Sequence, residues 1–152
     1  MRSDADRLKN YLKPDAHVLI IGGGLLGLEL SAALREVDVQ VSILQLTSRL
    51  MERQIDNLAG QLLLDFIEEI GIAVYMSDQV LQVEEEPGSK KLSATFRSGK
   101  KVKADAIVYA VGTKPNIEFA QEAGIESARG IIVNDYLQTS EHFALYGDAL
   151  GD

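Results

Sequence analysis

Val18-Leu19-Ile20-Ile21-Gly22-Gly23-Gly24-Leu25-Leu26-Gly27-Leu28-Glu29 decides the fold of this chain. Its opening apolar run ends in glycines, which predicts a strand buried on both faces, as in a parallel sheet. Residues 25–36 then read as a helix that is apolar almost all round, packed on more than one side. Gly22, Gly24 and Gly27 between them give G-x-G-x-x-G. That pattern alone is weak, but here it leaves a buried strand, opens a helix and precedes a second strand, as a dinucleotide-binding turn requires. Gly22 permits the tight turn, Gly24 leaves its backbone open to a pyrophosphate, and Gly27 lets the helix lie close to the sheet. Free N–H groups and the positive end of the helix dipole can hold a dianion without Arg or Lys. The plain alternative is a glycine-rich turn that binds nothing.

On either side the chain continues the same alternation. Residues 4–13 predict a short helix stopped by Pro14. Residues 39–46 predict a second strand, residues 56–70 an amphipathic helix ended by Gly71, and residues 72–76 a third strand. The order β-α-β-α-β predicts a right-handed parallel sheet. Three short strands follow over 79–86, 90–97 and 100–103, joined by Pro87-Gly88-Ser89 and Ser98-Gly99. Glu84, Glu85 and Glu86 are expected opposite Lys90 and Lys91 as exposed cross-strand pairs. Residues 104–111 predict another buried strand ending at Gly112, then a short helix over 117–123 and a strand over 130–133. The expected class is α/β: a Rossmann-like parallel sheet with helices on both faces, plus a three-stranded antiparallel meander.

Composition narrows the function. The chain has 152 residues, enough for about one domain. It has no Cys, which excludes a disulfide framework, a Cys-based zinc site and a thiol nucleophile; its two His, His17 and His142, lie far apart. No metal site and no catalytic residue are expected. Asp and Glu outnumber Lys and Arg by 23 to 15, a formal charge of -8, which disfavours nucleic acid as a partner. No apolar run approaches membrane length, and the N-terminus lacks an apolar signal core, so a cytoplasmic location is the default expectation.

The ribose of a bound dinucleotide is read at the end of the second strand, where an acidic residue favours NAD. Here Leu44-Gln45-Leu46 stands instead. Gln45 can bond a ribose hydroxyl yet does not repel a 2′-phosphate, and Arg49 is a candidate to reach one. NAD is the first expectation, and NADP stays open.

The same glycine segment resembles the second dinucleotide motif of the FAD-dependent pyridine nucleotide–disulfide oxidoreductases. Ala110-Val111-Gly112-Thr113-Lys114-Pro115-Asn116 resembles that family's A-x-G-x-x-P-N strand end. Gly130–Val133 with Leu137–Ser140 resembles its next segment, residues 79–103 its inserted meander, and Ser3–Leu12 its entering linker helix. Within the family, Leu50–Asp56 is most similar to the large subunit of NAD(P)H-dependent nitrite reductases, with rubredoxin reductases and NADH oxidases next.

The resemblance implies roles. Gly22, Gly23, Gly24 and Gly27 would form the pyrophosphate turn, with Leu25 and Leu26 beside the cofactor. Glu29 would lie near nicotinamide and flavin, and Val111 and Gly112 would touch the cofactor through their backbone. Asp148, in Gly147-Asp148, would bond the flavin's ribityl chain, although the spacing is one residue short and Tyr146 stands where a smaller residue is usual. The family's FAD domain opens with a dinucleotide motif of its own, upstream, and none precedes Ser3. The expected organisation is therefore a linker helix (1–14), an NAD(P)H-binding domain (15–112) and a tail (113–152) belonging to a missing FAD domain, with FAD not bound by this chain alone.

The leading expectation is a module that positions nicotinamide for hydride transfer to FAD. A second is a non-catalytic assembly module, a homodimer driven by exposed Ile117, Phe119, Ile131, Phe143 and Leu145 in the tail. A third, a methyltransferase-like fold with another adenosine ligand, is disfavoured by Glu29 and by the segment from Ala110 to Asn116.

Overall fold

The computed structural model describes residues 12–139. The helix expected over residues 4–13, Phe143, Leu145 and the Gly147-Asp148 pair lie wholly or largely outside them. The chain divides into two compact units, one ending at Gly112 and the other beginning at Thr113.

The first unit is built on a four-stranded sheet. Strand β1 (His17–Ile21) runs into helix α1 (Leu25–Arg35), then β2 (Gln40–Leu44), α2 (Asn57–Glu69) and β3 (Ala73–Tyr75). A meander of β4 (Val80–Glu85), β5 (Leu92–Phe96) and β6 (Lys101–Ala104) leads to β7 (Ala106–Tyr109). The sheet order is β3-β2-β1-β7, with every pair parallel. β1 lies centrally, with Val18, Leu19 and Ile20 fully buried, as its unbroken apolar run requires.

The α/β class, the parallel sheet and the meander are as expected, but among the described residues the helices do not cover both faces. Val18, Ile20 and Ile43 point to one face, and there they meet Leu28 and Leu34 of α1 and Ile67 of α2. Leu19 and Leu44 point to the other face and meet Ala94, Phe96, Val102 and Ala104 of the meander. The cause is topological. Two right-handed crossovers stepping the same way, from β1 to β2 to β3, put both helices on one face. The return to β7 on the far side of β1 covers the opposite face, and here that connection carries the meander.

Local chemistry explains the joints. Asp56 caps α2 by accepting the Ala59 N–H at 2.9 Å. His17 ties three strands together. Its Nδ1 donates to the Lys103 carbonyl at 2.6 Å, and its Nε2 and the Ser42 hydroxyl are hydrogen-bonded at 2.9 Å. Asp105 accepts the His17 backbone N–H at 2.8 Å and pairs with Lys91 at 3.4 Å. The His17 N–H bond, assisted by the Lys91 charge, holds the Asp105 carboxyl below its usual range.

Helix α1 departs from its expected environment. It buries one stripe, Gly27, Leu28, Ser31 and Leu34, while Leu25, Leu26, Ala32 and Ala33 are exposed with Glu29 on the opposite side. The Glu–Lys pairs also differ. The carboxylate of Glu86 bonds Lys103 at 2.7 Å and Lys91 turns to Asp105, because the hairpin closes at Glu86 and Lys91 and leaves Lys90 in the turn.

The second unit has helix α3 (Glu118–Glu122) and a single antiparallel bridge, Ser127 to Ile131, where a strand was expected over 130–133. Ile117, Ala120 and Ile131 form a small core with Ile125 and Val133 packed on it. Ile117 and Ile131 are therefore buried, contrary to the exposure expected of them, while Phe119 is exposed.

Candidate functional site at the glycine turn

β1 and β7 lie side by side, yet the chain leaves β1 in one direction along the sheet and enters β7 from the other. This is a topological switch point, where the strand ends open a crevice that α/β folds use for ligands. The glycine turn and the segment from Ala110 to Gly112 both lie there. Gly22 donates its N–H to the Leu44 carbonyl at 2.8 Å, and Ala110 donates to the Ile21 carbonyl at 2.7 Å.

Three of the four glycines of the turn are required by the fold, each for a different reason. Gly22 has φ +116°, and a Cβ there would strike the Ala110 carbonyl. A Cβ on Gly27 would strike the Gly22 carbonyl, so the helix can lie against the turn only without one. Gly23 stands at a position the G-x-G-x-x-G pattern leaves open, but a Cβ there would press into Leu50. Gly24 is different. It is the N-cap of α1 at φ -84°, ψ -177°, a conformation open to any residue, and a Cβ there would meet nothing within 4 Å. Nothing inside the described structure asks for glycine at position 24. No side chain caps the helix above it either. The N–H groups of the first turn thus face an open ledge that suits a phosphate group, and the absent Cβ is the space such a group would fill.

The remaining expected residues fall unevenly around this ledge. Leu25 and Leu26, 52% and 59% exposed, stand at the helix head, and Glu29 is exposed one turn further on. Val111 is 71% exposed and Gly112 has φ +103°, both in the segment after β7. Gln45 is brought to the turn itself: its Oε1 accepts the Gly23 N–H at 2.8 Å. Its Nε2 donates to Thr47 Oγ1 at 2.8 Å and to the Arg49 carbonyl at 3.2 Å. Arg49 is directed elsewhere. Its stem packs on Gly60 of α2, Nη1 bonds the Asn57 side chain, and Nη2 bonds the Glu52 carbonyl at 2.7 Å. Each Nη thus makes one bond within the protein, while Nε is buried without a partner among the described residues. Asp148 lies outside the described residues.

Three residues given no role at the site by the sequence reading complete the turn. Leu50, fully buried, sits against Gly23; Met51 donates its N–H to the Gly23 carbonyl at 3.0 Å; and Ala110 sets the clearance at Gly22. The signal for Leu50 and Met51 is the extra glycine at position 23, since a third consecutive glycine implies a neighbour pressing on the backbone.

A parallel sheet whose first strand feeds a glycine turn and an uncapped helix at the switch point defines the nucleotide-binding class of α/β domains. The chain belongs to the pyridine nucleotide-disulphide oxidoreductase family, whose pattern matches residues 2–152. This family couples a pyridine nucleotide to FAD. Curated relatives include a nitrite reductase [NAD(P)H] of Bacillus subtilis, 40% identical over 90% of this chain. Another is an assimilatory nitrate reductase electron transfer subunit of the same organism, 37% identical over 91% of the chain. The chain spans only 17% and 18% of those two proteins. Among solved structures, a ferredoxin reductase from Rhodopseudomonas palustris superposes with a TM-score of 0.88 at 27% identity, over 99% of this chain and 37% of that one. A putidaredoxin reductase in covalent complex with putidaredoxin gives the same score and identity, over 99% and 36%.

Proposed function

We propose that this chain is the nicotinamide-nucleotide-binding part of a larger flavin-dependent oxidoreductase of the nitrite reductase type. The observation that carries the reading is Gly24, a glycine required by nothing in the fold, at an uncapped helix N-terminus on the switch point. In this reading residues 15–112 bind the nucleotide, residues 113–152 belong with the FAD-binding part, and FAD is held by the longer protein rather than by this chain alone. When bound, the nicotinamide supplies a hydride and the flavin accepts it.

The chain's own residues bind and orient. The amides at the head of α1 would hold the pyrophosphate, with the helix dipole adding to the attraction. Gly22 and Gly27 keep sheet and helix close enough to form the ledge. Leu25, Leu26 and the backbone of Val111 and Gly112 would flank the cofactor and exclude water from it. Glu29 would face the nicotinamide and flavin from the first turns of α1. The nitrite reductase relative makes nitrite the favoured final acceptor of the longer protein.

Calorimetric titration with NADH tests the reading. One saturable site is expected, with no steady-state oxidation of NADH when FAD is added to this chain alone. Absence of any binding heat for NADH and NADPH would overturn it. A second reading, an assembly module, draws on the exposed Leu58, Leu62 and Phe66 of α2.

A further inference from the structure

We propose that Gln45 is a positioning and specificity-determining residue, whose amide latches the glycine turn instead of reading the ribose, so that the site accepts NADH and NADPH alike. This rests on reading the glycine turn as a nucleotide site.

The geometry is a closed cluster. Gln45 Oε1 accepts from Gly23, both hydrogens of Nε2 are given to Thr47 Oγ1 and the Arg49 carbonyl, and the Thr47 hydroxyl donates to the same carbonyl at 3.2 Å. A primary amide has two hydrogens to donate. Both are used inside the protein, so Gln45 has no donor left for a phosphate oxygen. A carboxylate at this position would repel a 2′-phosphate, and an amide does not. The guanidinium of Arg49, which would attract one, is held by Asn57 and the Glu52 carbonyl. No carboxylate therefore stands at this end of the site to repel a 2′-phosphate, and the nearby guanidinium, still charged, is tethered to the loop and to α2.

The latch also fixes the turn. Gly23 is held on three sides, by Gln45 at its N–H, Met51 at its carbonyl and Leu50 where a side chain would be. Its neighbour Gly24 is thereby presented to the ledge without a search through glycine's wide conformational range.

Two variants separate these roles. Nucleotide affinity is measured by calorimetry, and the exchange rate of the Gly23 amide hydrogen by NMR. For the native chain, NADH and NADPH are expected to bind within about fivefold of each other. Gln45→Ala removes the acceptor: Gly23 exchange rises about tenfold or more, and both nucleotides weaken together with their ratio unchanged. Gln45→Glu keeps the acceptor for Gly23, gives up the two Nε2 donors and adds charge: Gly23 stays protected while NADPH weakens about tenfold more than NADH. A native preference far beyond fivefold, an unchanged ratio in Gln45→Glu, or an unchanged Gly23 exchange rate in Gln45→Ala would overturn the proposal. Binding of neither nucleotide, with Gly23 still protected by Gln45, would overturn the nucleotide reading and leave the latch standing.

Discussion

Gly22 and Gly24 form a matched pair, because the fold needs the first and has no use for the second. Gly22→Ala forces a side chain to φ +116° against the Ala110 carbonyl. The expected loss is about 2–4 kcal/mol, read from urea unfolding midpoints. Gly24→Ala meets open space and is expected to change stability by less than about 1 kcal/mol. Asp105 adds a pH test. Its carboxyl is held low by the His17 N–H and Lys91, so its contribution is complete above the unfolded value near 3.8 and fades as pH falls through the lower folded value. Asp105→Asn is expected to be less stable than the native chain at pH 7, with the gap closing below about pH 4, as followed by denaturation at each pH. At this scale the spacing of Gly22, Gly24 and Gly27 was legible without a structure. The commitment of Gln45 and Arg49 was not, because it depends on the loop after β2 folding back onto Gly23 and α2.

Helix α2 shows what periodicity conveys and what it omits. Its 3–4 spacing marks an amphipathic helix, yet the ridge of Leu58, Leu62 and Phe66, 72%, 62% and 56% exposed, faces away from the core. Ile67, only 5% exposed, faces inward. Ile67→Ala is expected to cost about 2–4 kcal/mol in chemical denaturation. Leu62→Gln should stay within about 0.5 kcal/mol. The same limit applies to β1. An unbroken apolar run shows that both faces are covered, but not by what, and here the second face belongs to the meander. Helix α1 reads as apolar all round because Leu25, Leu26, Ala32 and Ala33 interrupt its polar face, though they lie on the exposed side.

For the whole molecule, the parallel order, the meander and the family were all readable, since each rests on contiguous motifs. Burial of the second unit was misjudged: Ile117 and Ile131 find each other and Ala120 through a turn that no repeat pattern announces. With those residues covered, the α2 ridge is the stronger candidate for self-association. Its flanks, Asp65, Glu68 and Glu69, are acidic, so a dimer is expected in sedimentation equilibrium only at raised ionic strength, where repulsion is screened. Leu62→Glu with Phe66→Glu should abolish it, and a monomer under all salt conditions would remove the homodimer from the account.

The central claim, that the α1 ledge holds a dinucleotide pyrophosphate, meets its most direct test in NADH titration of the native chain beside Gly24→Val, with the unfolding midpoint of each recorded. Saturable binding by the native chain, lost in a variant that still folds to nearly the same stability, is the predicted result. Undiminished NADH binding by a folded Gly24→Val would contradict it.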